Sequence, residues 1–548
     1  MTPLRLAALL AALATAPALG QAPLSPRDSA VHVLNRLAWG PAPGQVEAVM
    51  REGALAWAER QLRVATVDDP QLAAGWSRRF PILATSDDEL VRLFVTAQQQ
   101  QLTAARAGQE PGMAPRPAAT PAPPPRTDLR AFGAQAQQLL LVRTTESGHQ
   151  VAEVLADFWF NHFNVFYGKG LVRPYLPGYV EGAIRQHALG RFEDLLMATA
   201  RHPAMLFYLD NAQSVAEGAT PPNLERLERV QRQAARRPGV AARADSLRRA
   251  VEQRLPTGVN ENYARELLEL HTLGVEGGYT QGDIEQVARI LTGWGIQRPG
   301  QGAGFAFNAW AHDRGAKTVL GMSFPAGQGE EEGERLLRAL AAHPATRHHV
   351  SAKLCARLVA DNPPDGCVDD AVRAWQRSGG EIREVVRAIV RSPDFWAPAV
   401  VGAKVKTPLE FLVSAVRAVG GVPDETPRLS GAVTRLGQPI YLKAEPTGYP
   451  ETQEDWVNSG ALLARMNLAV ALAAGRLPGV AVDLDRVVPA TGDHGALLDA
   501  IDRQVFGGRL SARTRTVILE QLAGLRDPQA ARALAVGLAL GGPDFQRQ

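Results

Sequence analysis

Hydrophobic residues recur at helical spacing along most of the chain. The apolar positions of residues 284–291 are an example, and they follow Thr280 and Asp283, which form a capping-box pattern at a helix start. No run of alternating β-branched residues is long enough to predict a sheet. The pattern therefore predicts an all-α fold, a large multi-helix domain with surface insertions.

Three segments depart from this helical pattern. Residues 1–20 carry one arginine, an Ala/Leu run and then small residues, which is typical of a secretory signal peptide. Residues 111–126 are rich in proline and residues 220–258 in arginine, and we interpret both as surface insertions. We predict one helical domain over residues 25–480, with residues 481–548 as its C-terminal helical part.

The signal peptide predicts a periplasmic or extracellular protein. No later stretch approaches the roughly 20 apolar residues of a membrane span, so we expect no transmembrane segment. Cys355 and Cys367 fit an oxidising compartment, and we predict a disulfide between them. A metal-binding pair is the alternative, but no further cysteine or nearby histidine completes a zinc set.

Composition and charge exclude some classes of protein. The chain has 548 residues, of which 45% are hydrophobic and 21% charged, as in a globular protein. A net charge of +3 and the lack of a basic stripe exclude nucleic acid as an expected partner. Only six of the 59 basic residues are lysines, which indicates either a GC-rich genome or positions that need a compact ammonium. The lysines are Lys169, Lys317, Lys353, Lys404, Lys406 and Lys443.

The stretch NENYARELLELHTLG, residues 260–274, holds a first group of candidate site residues. On an α-helix, Asn262, Glu266 and Glu269 form a polar strip beside an apolar face that contains His271. Glu266 and His271 lie about 140° apart on that helix, so they do not bind one ion as an i, i+4 pair would.

A second predicted helix, residues 151–166, has the same layout. Asp157, Asn161 and Asn164 form its polar strip, and His162 lies in its apolar face. If the two helices pack together, the two strips face one another.

Facing oxygen-rich strips suit two kinds of ligand. Carboxylate oxygens of Asp157, Glu266 and Glu269 are ligands for a hard divalent cation such as Ca²⁺, Mg²⁺ or Mn²⁺. They equally suit hydrogen bonds to sugar hydroxyls. The alternative is a satisfied polar network between buried helices, with His162 and His271 as core residues bonded to backbone carbonyls.

Two further segments supply candidates. His202 precedes a proline at a predicted helix start, while His312, Asp313 and Lys317 share a glycine-containing loop of the kind that often carries function. The chain lacks a Gly-x-Ser-x-Gly elbow, a His-Glu-x-x-His zinc helix, a phosphate-binding P-loop and a haem-attachment motif.

Seven motifs in one order resemble a known family. They are HVLNRLAWGP, DFWFNHFNV, HPAMLFYLDN, NENYARELLELHTLG with GYTQGDIEQVARILTGW, HDRGAKTVLG, SAKLCARLVADNPP and VKTPLEFLVSAVRAVG. Together they resemble the bacterial family catalogued as domain of unknown function 1800. The resemblance implies an exported, predominantly helical protein whose gene often lies beside that of a sulfatase-like exported protein. The two insertions depart from the family's compact spacing.

Two functions follow as expectations. The first is an exported, hydrolase-like enzyme acting on an extracellular or envelope polymer, with Glu266 or Asp157 as its acid–base or metal-binding carboxylate. The second is a non-catalytic exported binding or assembly protein that recognises a saccharide or the sulfatase-like partner. Convergence of the candidates on one pocket favours the enzyme, and scattered, buried, paired side chains favour the scaffold. The candidate catalytic histidines are His162, His202, His271 and His312, and the candidate binding residues are Asn161, Asn164, Asn262, Glu269, Asp313 and Lys317.

Overall fold

The computed structural model of the protein describes residues 23–107, 129–222, 226, 229 and 258–548. The predicted signal peptide and the Pro-rich insertion lie outside these residues, as does nearly all of the Arg-rich segment. Those three expectations stay predictions.

The described residues form 23 α-helices. Helices make up 61% of the structure and strands 4%, which confirms the predicted all-α fold. The first eleven are α1 (Pro26–Arg36), α2 (Gln45–Glu52), α3 (Ala54–Gln61), α4 (Pro70–Arg79), α5 (Asp87–Ala107), α6 (Leu129–Glu146), α7 (Gln150–His162), α8 (Val172–Gly178), α9 (Phe192–Arg201), α10 (Pro203–Tyr208) and α11 (Asn262–Glu266). The others are α12 (Gln281–Ile290), α13 (Glu330–Ala342), α14 (Pro344–Leu358), α15 (Asp365–Ser378), α16 (Ile382–Arg391), α17 (Pro408–Ala418), α18 (Arg428–Arg435), α19 (Ser459–Ala473), α20 (His494–Ile501), α21 (Ala512–Leu522), α22 (Pro528–Gly541) and α23 (Pro543–Gln546).

Short strands pair into three antiparallel ribbons in the described part of the chain. None is long enough to build a sheet core. The pairs are β1 (Trp294–Ile296) with β2 (Phe305–Phe307), β3 (Lys317–Val319) with β4 (Met322–Phe324), and β5 (Val422–Pro423) with β6 (Val480–Ala481).

Side-chain caps explain where several helices begin. The Thr280 hydroxyl accepts the Asp283 N–H, and the Asp283 carboxylate accepts the Thr280 N–H in return, which confirms the predicted capping box of α12. Thr407 and Glu410 form a second capping box at the start of α17. These caps satisfy N–H groups that have no partner within the helix.

A connected cluster of buried hydrophobic residues extends from Ala30 to Phe545 and holds the helices together. Helix α7 runs through it, with Trp159 and Phe163 fully buried. The indole N–H of Trp159 donates to the Ala188 carbonyl at 3.0 Å, so even this polar atom is satisfied. The core therefore fixes α7, which carries the first candidate residues.

The predicted disulfide is present. Cys355 near the end of α14 is bonded to Cys367 near the start of α15, with Cα atoms 6.3 Å apart. No helix among the described residues is long and apolar enough to cross a bilayer.

Candidate functional site

The polar strip of α7 faces a loop from far along the chain. This covering loop, residues 438–456, receives two hydrogen bonds from the Nδ2 of Asn164, to the carbonyls of Lys443 (3.0 Å) and Glu445 (2.9 Å). Asn161 donates to the Tyr449 carbonyl at 2.8 Å and accepts the Tyr449 N–H at 2.6 Å. The helix ends at His162 rather than at the predicted residue 166, so Asn164 lies just beyond it, and the two amides anchor the loop to the C-terminal end of α7.

Between α7 and the covering loop lies a pocket with about 570 Å³ of empty space, including its open mouth. Asp157, Arg357 and Glu451 supply its charged side chains. Tyr441 forms part of the wall and has a left-handed backbone, with φ at 61°. Such a conformation costs about 1–3 kcal/mol in a non-glycine residue and is often found at functional sites.

Asp157 is the carboxyl of this pocket whose pKa is raised. Burial raises the pKa of its carboxyl to about 7, Arg357 acts against that rise, and Glu451 and Glu410 add to it. The carboxyl makes no hydrogen bond to another residue in the described ranges. An unpaired carboxyl that titrates near neutral pH can both give and take a proton.

Arg357 is held in place by a second carboxylate. Its Nη1 contacts the Glu410 carboxylate, and its Nε lies 3.8 Å from Glu451. Burial alone would raise the pKa of Glu410, but Arg357 and donors from Gln548 and Thr407 hold it at about 2. Glu410 thus stays ionised and keeps Arg357 charged, while Asp157 titrates.

The predicted strip of Asn262, Glu266 and Glu269 does not face this pocket. The chain continues α11 as a π-helix over Leu267–Thr272 rather than as the α-helix that the pattern predicted. The Thr272 hydroxyl donates to the Leu267 carbonyl five residues back, at 2.6 Å.

Each residue of that strip has neighbours outside the Asp157 pocket. Asn262 donates weakly to the Leu209 carbonyl at 3.4 Å, and Glu269 accepts from the Tyr279 hydroxyl at 3.4 Å. Glu266 is half-buried, and burial followed by Glu269 raises its pKa.

The proposed cation set of Asp157, Glu266 and Glu269 is therefore not assembled, which corrects that interpretation. Asp157 lines the pocket, whereas neither glutamate does. The physical reason is that α7 turns its polar strip to the covering loop and contacts the π-helix through its histidine. In the described ranges no three His, Cys, Asp or Glu side chains are grouped so as to hold a metal ion.

His162 and His271 join the two helices inside the core. The Nε2–H of His162 donates to the His271 carbonyl at 3.2 Å, and the two rings lie 6.3 Å apart. Burial, followed by the charge of Lys353, lowers the pKa of His162 well below its ordinary value and that of His271 to about 3. Both rings are neutral at physiological pH, and neither lines the Asp157 pocket.

His202 lies in another part of the fold. Its Nδ1 caps α10 by accepting the Ala204 N–H at 3.2 Å, and burial lowers its pKa to about 3. Its ring packs against Tyr179 at 5.1 Å. This histidine begins a helix and lies apart from the pocket.

His312, Asp313 and Lys317 belong to a buried ionic cluster. Lys317 Nζ lies 2.7 Å from the Glu332 carboxylate, and His312 Nε2 lies 3.5 Å from it. Asp313 accepts two hydrogen bonds from Arg289, at 2.8 and 3.0 Å. Lys317 and Asp313 are thus paired with opposite charges, as the scaffold interpretation expects, whereas burial lowers the pKa of His312 and its Nε2 has no hydrogen-bond partner among the described residues.

Sequence reasoning missed Arg357, Glu410, Glu451 and the covering loop. Thr407 and Glu410 do show the capping-box spacing, which indicates a helix start and not an arginine partner. Asn161 and Tyr449 are 288 positions apart, and helical spacing predicts contacts only within one helix, so it does not predict the contact between them.

Comparison with known proteins identifies the family. The family model described as Protein of unknown function (DUF1800) matches residues 32–547, so the chain belongs to that family. No curated protein and no solved structure matches the chain.

Proposed function

Because the family description names no activity, the chain's own geometry has to indicate one, and we propose that this DUF1800 protein is an exported acid–base hydrolase. Its pocket lies between α7 and the covering loop. The observation that carries the proposal is the unpaired Asp157 carboxyl, with a pKa of about 7, beside Arg357 and Glu451. Perturbed carboxyls in clefts are frequent at active sites.

Each charged group has a role in this proposal. Protonated Asp157 gives its proton to the leaving oxygen as the scissile carbon–oxygen bond breaks, and ionised Asp157 then takes a proton from the water whose oxygen bonds to that carbon. Arg357, kept charged by Glu410, binds an oxygen on which negative charge develops. Glu451 is the second carboxylate of the pocket. The substrate is a bond in an extracellular or envelope polymer, with saccharides as the first class to test.

Export is part of the proposal. The bonded Cys355–Cys367 pair is compatible with an oxidising compartment. No membrane-crossing helix occurs in the described ranges. The predicted signal peptide completes the argument for a periplasmic or extracellular protein.

Asp157→Asn tests the enzyme proposal, with Glu266→Gln as the matched control. Both variants replace a carboxyl whose burial raises its pKa, but only Asp157 lines the pocket.

Wild type and variants are incubated with a panel of envelope polysaccharides, and new reducing ends are counted. We expect Asp157→Asn to lower turnover at least about hundredfold. We expect Glu266→Gln to retain it. Turnover by the wild type should fall as pH rises through about 7, where the proton donor is lost. Undiminished turnover by Asp157→Asn would refute the proposal.

A binding protein is the second candidate. The amides of Asn161 and Asn164 are already engaged by the covering loop, and Asp313 and Lys317 are paired inside the fold. Most of the predicted site residues therefore do not converge on the pocket, which favours this candidate, and Asp157 is the residue that favours the enzyme. If a polysaccharide of the same panel binds equally to wild type and Asp157→Asn, and neither protein turns it over, that result favours this candidate. The second candidate also includes binding to the sulfatase-like exported protein.

A further inference from the structure

The few lysines of the chain differ sharply in their surroundings. All six lie within the described ranges, and four of them contact a carboxylate. The side chains of the other two, Lys353 and Lys406, make no ion pair or hydrogen bond with a described residue. The four pairs are Lys169 with Asp210, Lys317 with Glu332, Lys404 with Asp361, and Lys443 with Glu445.

Lys406 is fixed by its backbone. It lies between Val405, which forms an antiparallel bridge with Arg547, and the N-terminal cap of α17. Its N–H donates to the Gln546 carbonyl at 2.9 Å. The residue is only 2% exposed, so the position of its side chain is set by packing.

Lys406 lines a second pocket, with about 780 Å³ of empty space including its mouth. Its Nζ lies 3.7 Å from the centre of the Phe545 ring. Such a contact favours the ammonium form. Burial opposes it more strongly and lowers the pKa of Lys406 to about 7, with Glu410 raising it and Arg465 lowering it further.

The same pocket carries two guanidinium groups. Arg509 and Arg547 line it, and among the described residues of its wall Asp544 is the one acidic side chain. Asp544 accepts the Ser511 N–H at 2.9 Å, and Arg509 lies 3.8 Å from the Asp28 carboxylate. Two guanidinium groups in the same pocket as a lysine suit a ligand that carries a carboxylate or phosphate.

We propose that Lys406 is a nucleophilic lysine that forms an imine with an anionic aldehyde or ketone bound between Arg509 and Arg547. The neutral amine nitrogen bonds to the carbonyl carbon, and the carbonyl oxygen leaves as water after taking up two protons. A carbon–nitrogen double bond replaces the carbonyl, and no oxidant or reductant is needed. This site is separate from the Asp157 pocket and does not depend on the proposed hydrolase.

Reductive trapping tests the proposal. The full-length mature protein is incubated at pH 7 with glyoxylate and cyanoborohydride, which reduces an imine to a stable carboxymethyl amine. Peptide mapping then compares all six lysines within one chain. At pH 7 a lysine with a pKa of about 7 has roughly a thousandfold more free amine than an ordinary lysine. We expect Lys406 to be labelled at least about tenfold faster than the four paired lysines.

Two variants provide the controls. Lys406→Arg keeps the charge and cannot form the imine, so the label should disappear. Lys353→Arg removes the other unpaired lysine, whose pKa burial lowers to about 8, and should leave labelling of Lys406 unchanged. Propionaldehyde, which is neutral, should label Lys406 more slowly than glyoxylate. Labelling spread evenly over the lysines, located mainly at Lys353, or equally fast with both aldehydes would overturn the proposal.

Discussion

Asp157 and Glu410 are carboxyls near the same guanidinium, yet their pKa values move in opposite directions. Glu410 accepts hydrogen bonds from Arg357, Gln548 and the Thr407 backbone, which favour its ionised form. Asp157 has no such donors, so burial dominates and favours its protonated form. Different pKa values for neighbouring carboxyls are what acid–base chemistry requires.

The raised pKa of Asp157 predicts how stability depends on pH. In an unfolded chain an aspartate titrates near pH 3.9, whereas in the fold Asp157 titrates near 7. Its contribution to stability is therefore complete below about pH 4 and is lost as pH rises through about 7. Asp157→Asn carries no charge at any pH. We expect its Tm, relative to wild type, to rise by about 2–5 °C between pH 4 and 8. A pH-independent difference in thermal melts would contradict this.

Asp313→Asn provides a control of opposite sign. Burial would raise the pKa of Asp313, but hydrogen bonds from Arg289 hold it below its ordinary value. Its contribution is therefore present above about pH 4 and lost as pH falls further. The Tm of this variant should fall further below wild type as pH rises from about 3 to 5.

At the scale of elements, helical spacing predicted α7 and its polar strip but not what covers that strip. Asp157 and Asn161 do share one edge of α7, Asn164 follows just beyond the end of the helix, and all three line the pocket. Their neighbours are backbone carbonyls of an irregular loop, which carry no side-chain signature in the sequence. The π-helix over Leu267–Thr272 could not be predicted from the sequence either, because its residues also suit an α-helix.

Gly448 makes close contact between the covering loop and α7 possible. Its φ is 73°, and a Cβ placed there would lie 2.3 Å from the Asn161 carbonyl oxygen. Gly437 also has a positive φ, 99°, but open space around it, so it is the matched control.

Alanine strains the backbone at both sites by about 1–2 kcal/mol. We expect Gly448→Ala to lose roughly 1–3 kcal/mol more than Gly437→Ala in urea unfolding. Cleavage of the covering loop by protease should also be faster in Gly448→Ala, and equal behaviour would exclude a close contact.

At the scale of the whole molecule, residues far apart in the chain form the sites. Residue 480 was predicted as the end of the first part, yet β5 and β6 pair across that position. Val405 and Arg547 are bridged as well, which places Lys406 beside Phe545. The boundary stays a prediction. Fold class followed from local spacing, whereas both pockets depend on long-range packing that local patterns do not encode.

The disulfide is the long-range constraint that the sequence did predict. It joins α14, which carries Lys353 and Arg357, to the start of α15, across a separation of 12 residues. A closed loop of this length stabilises by about 3 kcal/mol in the chain-entropy model. We expect Cys355→Ala with Cys367→Ala to lose about that much free energy of unfolding in urea titrations. Reductant should lower the wild-type midpoint to a similar extent and leave the double variant unchanged. If the double variant unfolds at the wild-type urea concentration, the bond is not a stabilising element, and packing of α14 alone holds Arg357 against Glu410.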